Sequence, residues 1–298
     1  MRSRPSPFFE EPLIQLAATA DLRVRVRVAE AMSRMPSVRF LPVLRSMLAE
    51  SALQPAAREA LVSVGRPALD FLAAGLDDET LPREVRLQLP RCIGHFDSLD
   101  AVPVLWRRLT REIDDLIRFK ILFVVGRLVA ENPQARPGRD AVTDVILDVS
   151  RLGLQAARWR AALTGERRPH GRDETKVVLV QLLAEKQSRA VDAILRLLGL
   201  VIPDEDFERI SRGVRGGRTE RASSIELLEN VVHGPARASL LALLDDAGAA
   251  VSGGRVARLE GPAQTYEAVL ATVVRDSTGV LRTVAERHAL EIGLAPAA

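Results

Sequence analysis

Residues 24–35 (VRVRVAEAMSRM), 53–64 (LQPAAREALVSV), 85–96 (VRLQLPRCIGHF) and 117–128 (IRFKILFVVGRL) align without a gap. In each, the first, fifth, eighth, ninth and twelfth positions are apolar, which is one stripe along a helix. The starts of the four segments lie 29, 32 and 32 residues apart. A second apolar stripe follows each of the first three: Phe40, Leu41, Val43, Leu44 and Leu48; then Leu69, Phe71, Leu72 and Leu76; then Val102, Val104, Leu105 and Leu109. Pro42 and Pro103 occupy the same place in their units. A proline near a helix start is harmless, whereas one further in bends the helix. A strand reading fails, because alternation is not sustained and Ala and Leu outnumber the β-branched residues.

The pattern predicts helix pairs at steps of about thirty residues, each too small to bury its own stripe and so stacked on its neighbours. Asp21, Ser37 and Ser98 are the expected caps, and Gly65-Arg66-Pro67 and Asp77-Asp78 the expected breaks. Residues 132–140 and 164–174 are polar, Pro- or Gly-containing loops around a helix capped by Asp140. Regularity returns at Lys176, with one long helix or two joined helices over 177–200. A helix from Pro203 to about Val214 follows, then a pair carrying Arg221, Leu227, Leu228 and Val231 on one member and Leu240, Leu241, Leu243 and Leu244 on the other. A loop over 247–261 and two terminal helices complete the reading. The expected organisation is therefore an N-terminal array over 1–131, an irregular helical insertion with basic loops over 132–175 and a C-terminal array over 176–298, an all-α right-handed superhelix of about six to eight helix pairs.

Composition agrees with a folded helical chain: 47% hydrophobic, 27% charged and only 4% aromatic residues leave little for large sheets or for base stacking. One Cys and four scattered His exclude a disulfide framework and most structural zinc sites. Lys120, Lys176 and Lys186 are the lysines; every other basic residue is Arg, and the 39 acids nearly balance the 42 bases. Residues 1–12 lack the apolar core of a signal peptide, and the apolar runs 121–130 and 190–203 are broken by Arg127 and by Asp192 and Arg196. A cytoplasmic location without membrane insertion is expected, with peripheral or tethered membrane association open.

The Val-Arg, Ala-Met or Ala-Leu and Leu-Pro-Val-Leu elements resemble HEAT repeats over 13–130, and less closely over 190–245. Arg25, Arg86, Arg118 and Arg221 sit at the position where that family carries an Arg opening the second helix, and Gln54 departs from it. The resemblance implies an α-solenoid that binds other macromolecules. Residues 190–246 also resemble the HEAT region attached to bacterial nucleotide-transporter-like membrane proteins, which implies a cytoplasmic module of a longer protein. The repeated arginines are expected to reach an acid or a carbonyl of the next repeat and so form a ladder.

Two arginine clusters are candidate anion- or partner-binding sites. Arg209, Arg212, Arg215 and Arg218 run through a stretch in which Gly213, Gly216 and Gly217 end one helix, so that the N–H groups of the next could join them around a phosphate or carboxylate. Arg167, Arg168 and Arg172 form the second cluster, in the loop 164–174. A solvated turn and a charged loop are the alternative readings. His95, His170, His233 and His288 have no metal-ligand spacing, Cys92 falls on an apolar helix position, and neither a nucleophile elbow nor a phosphate-binding loop is present. No catalytic residue, cofactor or metal is assigned. The expected function is a non-enzymatic scaffold for a protein partner. Nucleic-acid or other polyanion binding is the alternative, and a bilin-lyase activity is a further, weaker one.

Overall fold

A computed structural model describes residues 7–19, 21–165, 174–248 and 265–294, and among them every regular element is helical. The chain divides into two compact units, Met1–Pro137 and Gly138–Ala298.

The first unit contains α1 (Glu10–Thr19), α2 (Leu22–Arg34), α3 (Leu41–Met47), α4 (Gln54–Val64), α5 (Arg66–Asp77), α6 (Arg83–Arg86), α7 (Leu89–Ile93), α8 (Ser98–Leu109) and α9 (Asp115–Glu131). Asp21 caps α2 by accepting from the Val24 N–H at 3.0 Å, and Asp114 caps α9 by accepting from Leu116 and Ile117. The cap of α8 is Asp97, which accepts from Leu99; Ser98 is already helical. Ser37 caps a short 3-10 turn, Val38–Phe40, which delays α3 so that Pro42 becomes its second residue. The equivalent stretch of α8 is α-helical from its start, leaving Pro103 in the helix interior. The single helix expected over 85–96 is two short ones. Pro90 has no N–H to donate back to the Arg86 carbonyl, and the helix breaks one turn earlier. Gly65, at φ +80°, is the one-residue joint between α4 and α5.

The stripe positions are the core of this unit: Val28, Met32, Ala57, Leu61, Leu89, Ile93, Ile117, Ile121 and Val125 are all buried. Helices α2, α4, α7 and α9 pack each on the next, and α1, α3, α5 and α8 pair with them in turn. Polar contacts repeat the step. Arg39 with Glu10 and Glu11, Arg66 with Asp100, Arg83 with Asp114, Arg108 with Asp77, Arg127 with the Gly94 carbonyl and Asn132 with Ser98 all join residues 28 to 34 apart.

The second unit is built differently. Helices α10 (Arg139–Gly165) and α11 (Glu174–Val201), 27 and 28 residues long, pack along each other. At roughly 1.5 Å per residue each spans about 40 Å. Around them lie α12 (Phe207–Val214), α13 (Arg218–Val231), α14 (Pro235–Gly248), α15 (Tyr266–Asp276) and α16 (Gly279–Glu291). Three expectations change here. The helix expected within 132–175 is longer than its stripe to Leu152, because that stripe continues through Ala156, Trp159 and Leu163, all buried. Asp140 lies inside its first turn instead of capping it. The start of α12 also moves, to Phe207, because Asp206 caps it through the Arg209 N–H at 2.9 Å. Most of the loop expected over 247–261 lies outside the described residues.

Gly153 sets the spacing of α10. A Cβ there would stand 2.7 Å from the Ala190 Cβ of α11 and 3.2 Å from Leu243 of α14. Gly126 in α9 is the opposite case, with open space where its Cβ would be. Gly126→Ala is therefore expected to raise stability by about 1 kcal/mol through helix propensity. Gly153→Ala is expected to lower it by about 1–3 kcal/mol through overpacking. Urea titration of the two variants beside the parent checks both signs.

Candidate functional site

Arg25, Arg86 and Arg221 of the repeated arginines turn inward. Arg25 in α2 donates to the Ala17 carbonyl of α1 at 3.0 Å and grips the Glu50 carboxylate with both terminal nitrogens, at 3.0 and 2.7 Å. Arg221, in the second unit, does the same with carbonyls: Val214 at the end of α12 and Leu244 of α14. Arg86 reaches Glu112 at 2.9 Å. Gln54, the departure from the pattern, keeps the backward bond, donating to the Leu48 carbonyl at 3.1 Å. Carbonyls at a helix end lack intrahelical partners, and a side chain from the next helix satisfies them. These positions are structural, as the ladder reading expects.

Glu112 is the centre of a buried charge group. Its carboxylate accepts from Arg86, from Arg108 Nε at 3.0 Å, and from the Ile113 and Asp114 N–H groups at 3.0 and 2.9 Å. Removing one member of such a group leaves a buried charge uncompensated, at a cost of about 3–5 kcal/mol.

The arginines singled out on the second unit lie on one turn and are exposed. Arg209 and Arg212 are on α12, Arg215 is its cap, and Arg218 is the first residue of α13. Acids sit among them. Arg215 pairs with Asp192 of α11, whose carboxyl burial pushes above its ordinary range despite that partner. The N-terminus of α13 is occupied by its own Glu220, which accepts from the Gly217 N–H at 3.0 Å, where a bound anion would otherwise sit. Arg167, Arg168 and Arg172 lie outside the described residues.

A different cluster forms in the first unit, on successive helices. Arg58 of α4 lies near the Cys92 thiol of α7, while Arg127 of α9 donates to the Gly94 carbonyl just after α7 and pairs with Glu131 at 2.8 Å. Arg91 and His95 stand exposed between them. Burial pushes the Cys92 thiol up to about 11, so it is an inert core group. Partial burial and then the charges of Arg58, Arg127 and Arg91 hold the His95 imidazole below its ordinary range, with Glu131 opposing them. The signal in the sequence was positional. Arg34, Ser63, His95 and Arg127 share the eleventh place of the four aligned segments, so a row across helices carries what no single helix shows.

Two other places gather polar side chains. A groove of about 600 Å³ between α5 and α8 is floored by Ala73, Leu99 and Pro103, with Arg66, Asp70 and Asp100 interlinked at one end. Its carboxylates are taken up in ion pairs, Asp70 and Asp100 with Arg66 and Asp77 with Arg108. In the second unit, Tyr266 donates towards His288 Nε2 at 2.6 Å, and Thr175 Oγ1 lies 3.3 Å from His288 Nδ1 while also bonding Glu291. A carboxylate only accepts, so the Thr175 hydroxyl points its hydrogen at Glu291, Nδ1 carries the imidazole proton, and Nε2 accepts from Tyr266. That polarity is wrong for a histidine acting as base on Thr175, and His288 is 5% exposed. The chain of bonds ties α11, α15 and α16 together.

Among the described residues no group of His, Cys, Asp and Glu is placed to hold a metal ion, and no helix is long and apolar enough to cross a membrane. No family model matches the chain, and no curated protein or solved structure proves similar to it.

Tyr266→Phe leaves the buried Nε2 without its donor and is expected to destabilise the second unit by about 1–3 kcal/mol, read by chemical denaturation. For His95 the sign follows from its depressed folded-state pKa. The unfolded chain binds this proton more readily, so His95 weakens the fold as pH falls below about 6.5 and has no such effect above it. NMR titration of the imidazole should find it below that value, and Arg91→Gln should move it upward.

Proposed function

We propose that the chain is a HEAT-like α-solenoid scaffold that binds a protein partner without catalysis, using the row formed by α2, α4, α7 and α9. The observation that carries this reading is the repeat of the same helix contacts and the same polar ties at one thirty-residue step, through α9. An array of this kind presents equivalent positions of successive helices side by side. The outward row Glu30, Glu59, Arg91 and Phe123 is chemically varied, as a recognition surface is and a purely structural one need not be. The polar clusters support the non-catalytic half of the reading, since the buried ones are consumed in holding helices together. The reading places the scaffold in the cytoplasm, alone or as the module of a longer membrane-associated protein. Nucleic-acid binding is the second reading; the abundance of arginine favours it, and the acids interleaved on the same helices weigh against it.

The test is site-specific photo-crosslinking in cells of the source organism. A benzoylphenylalanine at position 59, 91 or 123 is expected to trap a discrete protein, whereas one at exposed Val280 of the second unit is not. Failure of all three row positions to give a protein adduct rejects the scaffold reading. Tight binding of duplex DNA at low salt, lost at moderate salt, moves the assignment to nucleic acid.

A further inference from the structure

We propose that Arg58, Arg91, His95 and Arg127 form the docking site for an acidic segment of the protein partner, with an Asp or Glu carboxylate of that segment seated on Arg91. The inference rests on the scaffold reading and deepens it by naming the chemistry of the partner.

The geometry concentrates positive charge on neighbouring helices. Arg58 comes from α4, Arg91 and His95 from α7 and its following turn, and Arg127 from α9; α4 packs on α7 and α7 on α9. One of the arginines is already placed. Arg127 is held by the Gly94 carbonyl and Glu131, whereas Arg58 lies near Cys92 with its Nε buried and lacking a hydrogen-bond partner. Arg91 differs from both. It is exposed and makes no ion pair with a described residue, although Arg25, Arg39, Arg66 and Arg83 of the same unit each hold a carboxylate. A guanidinium without a described carboxylate partner, supported by neighbouring cations, offers a planar fork to a carboxylate, and the partner's acid takes the place that no described residue fills.

Two neighbours define the rest of the ligand. Phe123, 52% exposed, holds on α9 the position that Arg91 holds on α7, so an apolar surface lies one helix step from the charge. An acidic segment with an apolar residue beside its carboxylates fits both. Exposed Glu59, next to Arg58 in sequence, and Glu131, paired with Arg127, restrict the other choice. A nucleic acid carries phosphate at every step and would lie over these carboxylates, whereas a peptide places its acids only where the arginines are.

The test uses the full chain and a fluorescein-labelled glutamate-rich peptide containing leucines, followed by fluorescence anisotropy at low ionic strength. Arg91→Glu is the main variant, because an exposed and unpaired side chain can be reversed without disturbing the core. Arg58→Gln is the second, with its thermal melt recorded beside it. Arg212→Glu, on the arginine turn of the second unit, is the control. The expected result is saturable binding by the parent, about tenfold weaker for Arg91→Glu, weaker for Arg58→Gln, and unchanged for Arg212→Glu. Equal binding by the parent and Arg91→Glu, loss with Arg212→Glu instead, or no binding by the parent overturns the proposal. So does preference for a duplex oligonucleotide in the same titration.

A random-peptide display selection on the full chain separates this failure from that of the scaffold reading. Acidic peptides lost on Arg91→Glu support the proposal. Neutral or basic peptides indifferent to Arg91→Glu reject it and leave the scaffold reading standing. A selection that enriches nothing counts against both.

Discussion

Everything in the first unit follows from one constraint: a helix pair of about thirty residues has more apolar stripe than it can cover by itself. Met32 has to be buried by α4, Leu61 by α5 and α7, Ile93 by α9. Each large side chain so covered contributes about 1.5–3 kcal/mol, and no pair retains that contribution alone. The end of the array shows the same rule in reverse. Val24, at the first position of the stripe in α2, is 39% exposed, whereas its counterparts Leu53, Val85 and Ile117 are buried between neighbours.

Arginine then fixes the register that apolar packing leaves loose. Apolar surfaces slide with little penalty; a guanidinium fork on a carbonyl or carboxylate has one geometry. Arg25, Arg86 and Arg221 point back or across to the ends of adjacent helices, and Gln54 shows that the backward tie needs only an N–H donor. The same residue type plays a different part at Arg91, which stands outward on the opposite side of the helix logic. Arginine content alone therefore separates nothing: the chain uses one side chain both as internal clasp and as free surface charge.

The second unit solves its burial problem by length. Two long helices share a seam, small residues such as Gly153 and Ala190 let them approach, and shorter helices cover the remaining stripe. One cover, α15 with α16, is fastened by polar bonds as well as by the apolar cluster of Trp159, Leu163, Leu179, Leu183 and Leu270. Tyr266 and His288 look reactive when read as residue types. Their hydrogen-bond polarity makes them a fastening.

Helix class, the stripes, the thirty-residue step and most helix ends were legible from the sequence, because they depend on neighbours within one or two turns. The break at Pro90 was legible in principle, being a missing N–H at a known position. The unbroken run of α10 was not, since its length is set by what α11 and α14 cover. Of the candidate site, nothing within a single helix marks the residues or groups them. The sequence drew attention to Arg209, Arg212, Arg215 and Arg218, whose turn carries Asp192 and Glu220 as well, and passed over Arg58, Arg91 and His95. Local chemistry, caps and periodicity were determined by the sequence alone. Which charges are cancelled and which remain was decided by the tertiary structure, because a charge is neutralised by whatever lies near it in space: Arg66 meets Asp100 and Arg83 meets Asp114, more than thirty residues away, while no described carboxylate pairs with Arg91.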